Sequence, residues 1–388
     1  MRTPRLFRAR EEGGQALVIL AVSLTALLTM SAVIVDGGNA MAQQRATQNG
    51  ADAAALSGAT VLVERMGGAI RTDGQVLAAI QQSLTVNGSV LMPGRPPRYV
   101  DYNNMEVGTV GSGSIPASAG GVLVSAARTF GTFLAGIAGM STMNSGAQAS
   151  ALAGALTGMC AASEGCAMSP VTFSIPVRTC DGTNRPLRIG KEWPLVSLET
   201  ALADSSKSLM SSVPLCTNGP GGVGWLDMSH PSIGCPGNNL AQWILTPCNK
   251  SFDIPIWLPT EPGNMNNVES AMDTYRGQVI LIPMFDSTCR SVPSSGLPAD
   301  CTDPGNGSNI WYHIPQFAAF LLDDSHIQGN NATVCNSAPG LPLGGGNGST
   351  TCIDGWFVSF VTVGPVGPVT GCGPVGCPET LLGTQLVR

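Results

Sequence analysis

Charged side chains are scarce in this sequence. They make up 11% of the 388 residues, roughly half the usual share of a soluble domain, against 43% hydrophobic residues. So little charge leaves few long, solvated helices to expect. Arg2, Arg5, Arg8 and Arg10 crowd the first ten residues, but the body after them has no basic patch and is acidic enough to bring the net charge to −6. Such a body argues against nucleic-acid binding, which needs Lys and Arg to displace counterions. Histidines number only 3 and no cysteine pair has C-x-x-C spacing, which leaves no ligand set for a structural zinc. There is no H-E-x-x-H, no G-x-S-x-G, no P-loop and no G-x-G-x-x-G opening a helix after a strand. The scattered His230, His313 and His326 read as ordinary strand or loop residues, so the sequence offers no enzyme and no cofactor.

Cysteine is absent from the first 159 residues, and all 12 lie between Cys160 and Cys377. An even number confined to one part of the chain reads as disulfides formed in an oxidising compartment. Gly (49) and Pro (28) together fill about a fifth of the chain, which favours short strands with tight turns without reaching the level of disorder. With this length, an anchor plus two exported subdomains is the expected organisation.

The anchor is the strongest feature. Ala16 to Val35 (ALVILAVSLTALLTMSAVIV) is uncharged, and as a helix it spans about 30 Å, the thickness of a bilayer's hydrocarbon core. The preceding arginines place residues 1–15 in the cytoplasm and export the rest. A cleaved signal peptide competes, supported by the small-x-small Ala40-Met41-Ala42. It is opposed by the length of the apolar run and by Asp36-Gly37-Gly38-Asn39 before the candidate site. Cleavage of a type IV prepilin kind, after Gly13 or Gly14, is a third option, weakened by the lack of a Glu in the run.

Residues 36–65 read as a second, Ala-rich helix, with Gly37-Gly38 expected to bend the chain at the membrane exit because each Gly costs about 1 kcal/mol in a helix. Ala51, Ala55 and Ala59 recur four apart and form a ridge of small residues on one face. Such a ridge admits close packing, either against the protein's own sheet or against a helix of a sister subunit.

From residue 11 to 63 the chain resembles the N-terminal module of the TadE/TadG-like proteins of tight-adherence (Flp) pilus systems. The matching residues are Glu12-x-Gly14-Gln15-Ala16-Leu17, the apolar run and Val35-Asp36-Gly37-Gly38. Arg45, Gln48-Asn49-Gly50-Ala51-Asp52-Ala53-Ala54-Ala55-Leu56 and Gly58-Ala59 complete the pattern. Gly50 stands where the family commonly has Ala. The resemblance implies a bitopic envelope protein that helps assemble or anchor a pilus, with pilus-assembly or envelope proteins as partners. It also implies a pilin-like α+β subdomain over residues 66–158.

Within that subdomain the sequence predicts a helix over Gly74–Leu84 and strands over Tyr99–Val110, Gly121–Ala127 and Met143–Leu156. The apolar Ala127–Gly139, too short to span a membrane, is expected as a buried helix. Residues 159–388 predict a mostly antiparallel β subdomain, with strands over Val171–Val177, Gln242–Thr246, Phe252–Leu258, Gln278–Phe285, Ile310–Leu322 and Trp356–Val363. A helix over Asn267–Tyr275 carries an Asn N-cap and stops at Gly277. Proximity in sequence pairs Cys160 with Cys166, Cys289 with Cys301, Cys335 with Cys352 and Cys372 with Cys377, out of thousands of possible connectivities.

Weaker features remain. The oxygen-rich Asp300–Asn309 lacks the closing Glu of an EF-hand and reads as a turn; Asp323-Asp324 is a similar candidate for a cation. Trp225-Leu226-Asp227 and Trp311-Tyr312-His313 read as core or strand aromatics before they read as a sugar or partner surface. The sequence as a whole describes a membrane-anchored α+β protein acting in Flp-pilus biogenesis by anchoring and contact. The rival functions are an independent surface adhesin or an envelope-polymer hydrolase.

Overall fold

The computed structural model describes residues 13–159, 168–180, 186–215, 223–237, 239–248, 250, 252–261, 267–305, 310–327, 352–368 and 381–387. One helix, α1 (Gly13–Met66), runs unbroken for 54 residues. The bend expected at Gly37-Gly38 does not interrupt it. Two glycines cost only about 1 kcal/mol each, and the turns that hold them are tied to the body through the side chains of Asp36 and Asn39. From Leu17 to Val35 the helix is exposed on nearly every face; from Ala51 onward it is part of a core.

α2 (Asp73–Val86) starts at a capping box: Thr72 Oγ1 accepts from the Gln75 N–H while Gln75 Oε1 accepts from the Thr72 N–H. It buries Val76, Ile80 and Leu84 beside α1. At Gly58 of α1 an added Cβ would lie 2.9 Å from Ile80 and 3.0 Å from Val122, so glycine is what lets helix, helix and sheet meet there. At Gly50 the same atom would lie 2.9 Å from Ser89 Oγ.

The sheet under these helices has eight strands among the described residues. Its first five are β1 (Val90–Leu91), β2 (Arg98–Val100), β3 (Glu106–Thr109), β4 (Gly121–Gly131) and β5 (Thr142–Leu156). β4 and β5 form a long antiparallel hairpin, paired from Gly121↔Leu152 to Gly131↔Thr142. The strand expected over Tyr99–Val110 is two strands, β2 and β3. Asp101 folds them apart by accepting the N–H groups of Asn103 and Met105, with Asn104 in the left-handed region. The buried helix expected over Ala127–Gly139 is not formed. Residues 127–131 finish β4, and only Ala135–Ala138 makes a 3₁₀ turn at the hairpin tip. Short apolar runs fit strand and helix equally well, and Gly131, Gly136 and Gly139 weaken the helix.

Residues 361–363, 366–367 and 382–387, far along the chain, return to this sheet. Leu382–Val387 pairs antiparallel with β5, and Val361–Val363 pairs with it in parallel at the edge. Along β5 the tip half alternates between buried and exposed, whereas from Ala149 to Gly154 every residue is buried. The strand passes from a one-sided sheet into a two-sided one. Ala151 and Ala153 face the α1 core, and Leu152 and Leu156 join the core of the second unit.

That second unit is built on a mostly antiparallel sheet with seven strands among the described residues, ordered Leu195–Ser197, Cys352–Ser359, Gln316–His326, Val279–Phe285, Val171–Ser174 and Val223–Trp225, with Ser211–Pro214 also paired to Cys352–Ser359. Phe173, Phe320 and Phe357 meet edge to face at its centre, with centroids 5.0 to 5.9 Å apart. Gln242–Thr246, expected as a strand, belongs to a helix, Leu240–Leu245. Asn239 Oδ1 caps it by accepting the Gln242 N–H at 2.8 Å, and Leu240, Trp243 and Ile244 fall on one buried face. The helix expected from Asn267 is shorter, Val268–Asp273. Asn267 precedes it in the left-handed region without a side-chain capping bond, and Gly277 follows at φ 73°.

Candidate membrane and assembly interface

The apolar face of this molecule is the first third of α1. Leu17, Leu20, Leu24, Leu27, Leu28, Val33 and Ile34 are each more than half exposed, on all sides of a helix long and apolar enough to cross a membrane. A helix apolar all round has no solvated face, so its stable surroundings are lipid or other protein.

Asp36 closes this run. Its carboxylate is buried, and it accepts the N–H groups of Phe133 at 2.6 Å, Leu134 at 3.1 Å and Ala135 at 2.6 Å from the β4–β5 tip. The Phe133 N–H, aided by those of Ala135 and Leu134, outweighs the cost of burial and holds the carboxyl below the usual carboxylate range. One helical turn further on, Asn39 Nδ2 donates to Gly131 O at 3.2 Å. The Gln44 and Gln48 amides then reach Gly146 O and Gln148 O, and Thr47 Oγ1 meets Ser145 Oγ at 2.5 Å. The polar residues following the apolar run therefore form a ladder that fixes α1 along β5.

The ridge of small residues lies deeper on the same helix. Ala51, Ala55 and Ala59 are fully buried in a core with Val122, Val124, Ala151 and Ile80. Their close packing is with the protein's own sheet and α2. Asp73 anchors the loop beneath: it accepts from Tyr99 Oη at 2.7 Å and from the Gly111 and Gly113 N–H groups at 2.8 and 2.6 Å.

Among the described cysteines, Cys289 and Cys301 form a disulfide, closing a loop that ends in the 3₁₀ turn Pro298–Asp300. Cys235 and Cys248 form another, bridging the short helix Leu240–Leu245; sequence proximity did not single out that pair. Cys352 is buried and disulfide-bonded. Cys160, Cys166, Cys335, Cys372 and Cys377 lie outside the described residues.

Several polar clusters among the described residues are paired within the chain. Asp323 holds Lys207 at 2.6 Å, and Asp324 holds Arg276, which also meets Asp273 at 3.0 Å. Asp354, between Ser212 and Asp324 in the sheet register, is buried with its Oδ2 3.6 Å from His326 Nε2. Burial raises its carboxyl to about 6. His313 bonds Asp286 at 2.8 Å beside Trp257, and Asp303 is paired with Arg290 at 3.1 Å. No group of three His, Cys, Asp or Glu suited to a metal occurs among the described residues. A cavity of ≈ 320 Å³ opens between the end of α1 (Val63, Glu64) and the second unit (Met284, Gln316, Phe357).

An exposed apolar run closed by Val-Asp-Gly-Gly and continued by a buried alanine ridge is a recognisable module. Residues 14–61 match the family model of putative Flp pilus-assembly TadE/G-like proteins. This TadE/G-like segment coincides with α1 almost end to end and includes both Asp36 and the ridge. No curated protein and no solved structure matches the chain.

Proposed function

We propose that this chain is a bitopic envelope protein associated with Flp-type pilus assembly, which acts by anchoring and by protein contacts and not by catalysis. Residues 16–35 cross the membrane, the arginine-rich start stays in the cytoplasm, and the disulfide-bonded body works outside it. The observation that carries this reading is the division of the TadE/G-like segment: one continuous helix, apolar and uncovered before Asp36, locked into the body after it. A helix so divided transmits the position of an anchor to a folded domain without a hinge. The ion pairs Lys207–Asp323, Arg276–Asp324 and Arg290–Asp303 of the second unit are satisfied within the chain, which supports a contact role.

The test is genetic and visual. Cells lacking this chain are expected to lose surface Flp-type pili while the pilus subunit is still made, and a version carrying a cleavable leader in place of residues 1–35 is expected not to restore them. Normal piliation without the chain contradicts the proposal.

A further inference from the structure

We propose that the β4–β5 tip, residues 132–141, is a second membrane contact, placing Phe133 and Met140 in the interfacial layer of the leaflet that α1 leaves at Asp36. The inference rests on the reading of residues 16–35 as a membrane span. Three independent features of the tip point to lipid.

The first is position. The N–H groups of Phe133, Leu134 and Ala135 are bonded to Asp36, the residue that follows the last apolar position of the span. With a rise of about 1.5 Å per residue, the tip sits within one helical turn of the hydrocarbon boundary. Elements lying in the interface bury their apolar face about 5–10 Å deep, a distance this placement already covers.

The second is surface chemistry. Phe133 is 67% exposed and Met140 59% exposed, on a segment with no charged side chain from Thr129 to Ser163. Entry into the interface therefore strands no ion.

The third is the backbone. Lipid penalises any N–H or C=O that needs water. In this tip the Thr132 N–H bonds Ser141 O at 3.1 Å, the Gly139 N–H bonds Gly136 O at 3.1 Å and the Met140 N–H bonds Ala135 O at 3.1 Å. Thr132 Oγ1 donates to Met140 O at 2.5 Å, and Asp36 takes three further N–H groups. A loop that makes its own hydrogen bonds while presenting Phe and Met outward is suited to lipid. Two contacts, helix and tip, would fix the rotation and tilt of the body above the bilayer, which a single helix leaves free.

The test uses the whole chain, with its disulfides intact, in vesicles of phosphatidylethanolamine and phosphatidylglycerol. A nitroxide is attached to Leu24→Cys, Phe133→Cys, Met140→Cys or Ile70→Cys in separate preparations. Ile70, 94% exposed beyond the far end of α1, serves as the aqueous reference. Collisions with oxygen, which partitions into lipid, and with a water-soluble nickel chelate are compared. Expected is an oxygen-to-nickel ratio highest at 24, lowest at 70, and several-fold above that reference at both 133 and 140. Nickel access at 133 and 140 equal to that at 70, with 24 still oxygen-rich, overturns the tip contact and leaves the span standing. Protection of 133 and 140 from both reagents means cover by protein and also overturns it. Nickel access at 24 removes the span, and the tip contact with it.

Discussion

Asp36 and Phe133 lie 97 positions apart and meet at 2.6 Å, the Phe133 N–H donating to the Asp36 carboxylate. One side chain at the end of an apolar run thereby orders a hairpin tip that local propensity leaves undefined. The bond joins the end of the exposed helix segment to the first layer of the body.

Replacing Asp36 with Ala removes the acceptor for three N–H groups. Hydrogen bonds to a charged partner contribute about 1.5–3 kcal/mol, so amide exchange at residues 133–135 is expected to accelerate by about tenfold or more. Asp36→Asn, which keeps one acceptor oxygen, falls between. Because the folded carboxyl titrates below its ordinary value of 3.8, its contribution is complete above that pH and is lost as pH falls through the folded value. Protection of the same amides, corrected for intrinsic exchange, is therefore expected to fall in wild type only on acidification below about pH 4, and in Asp36→Ala to stay low at every pH.

Glycines of one helix should respond in opposite directions. Gly58→Val forces a side chain against Ile80 and Val122, and overpacking of this kind costs about 1–3 kcal/mol. Gly37→Ala and Gly38→Ala meet nothing within 4 Å and gain about 0.5–1 kcal/mol each from helix propensity. Thermal unfolding in detergent separates the two groups by the sign of the shift.

Asp354 carries a burial cost that depends on pH. Its carboxyl titrates at about 6 in the fold, above the ordinary 3.8, so its stabilising share is full below about pH 4 and lost as pH rises through 6. His326 is the nearest counter-charge at 3.6 Å, and Asp323 and Asp324 add repulsion although Lys207 and Arg276 pair with them. Asp354→Asn is expected to be more stable than wild type at pH 8 by roughly 1–3 kcal/mol. The difference should vanish at pH 4. Melting curves across that range decide it, and a gain that persists at pH 4 contradicts the assignment.

The two described disulfides close loops of similar length, with sequence separations of 13 and 12. Removing either as a double Cys→Ala change should cost about 2–4 kcal/mol. Limited proteolysis is expected to cut first near Leu240–Leu245 for the Cys235/Cys248 pair, and within residues 290–300 for Cys289/Cys301.

The legible parts of the fold came from periodicity and spacing. Ala16 to Val35 needed only its length and lack of charge to be found. The four-residue spacing of Ala51, Ala55 and Ala59 marked a packing face, though only the fold shows that α2 and β5 occupy it. Longer-range relationships left no local signal. Nothing near Leu382 announces that it pairs with Ala155, or near Asp36 that it caps a turn a hundred residues on. The segment Ala127–Gly139 misleads because a short apolar run does not reveal whether it is covered. Gln242–Thr246 misleads differently: its β-prone composition hides Asn239 at the cap and the helical spacing of Leu240, Trp243 and Ile244, both present in the sequence.

The anchored and oxidised state is tested most directly by the intact mass of the protein taken from alkali-washed native membranes, alkylated before or after reduction. A mass that retains residues 16–35 and gains alkyl groups on all 12 cysteines only after reduction is the expected result. A chain beginning near Gln43, or thiols that alkylate without reduction, would contradict a retained anchor in the first case and an oxidised exported body in the second.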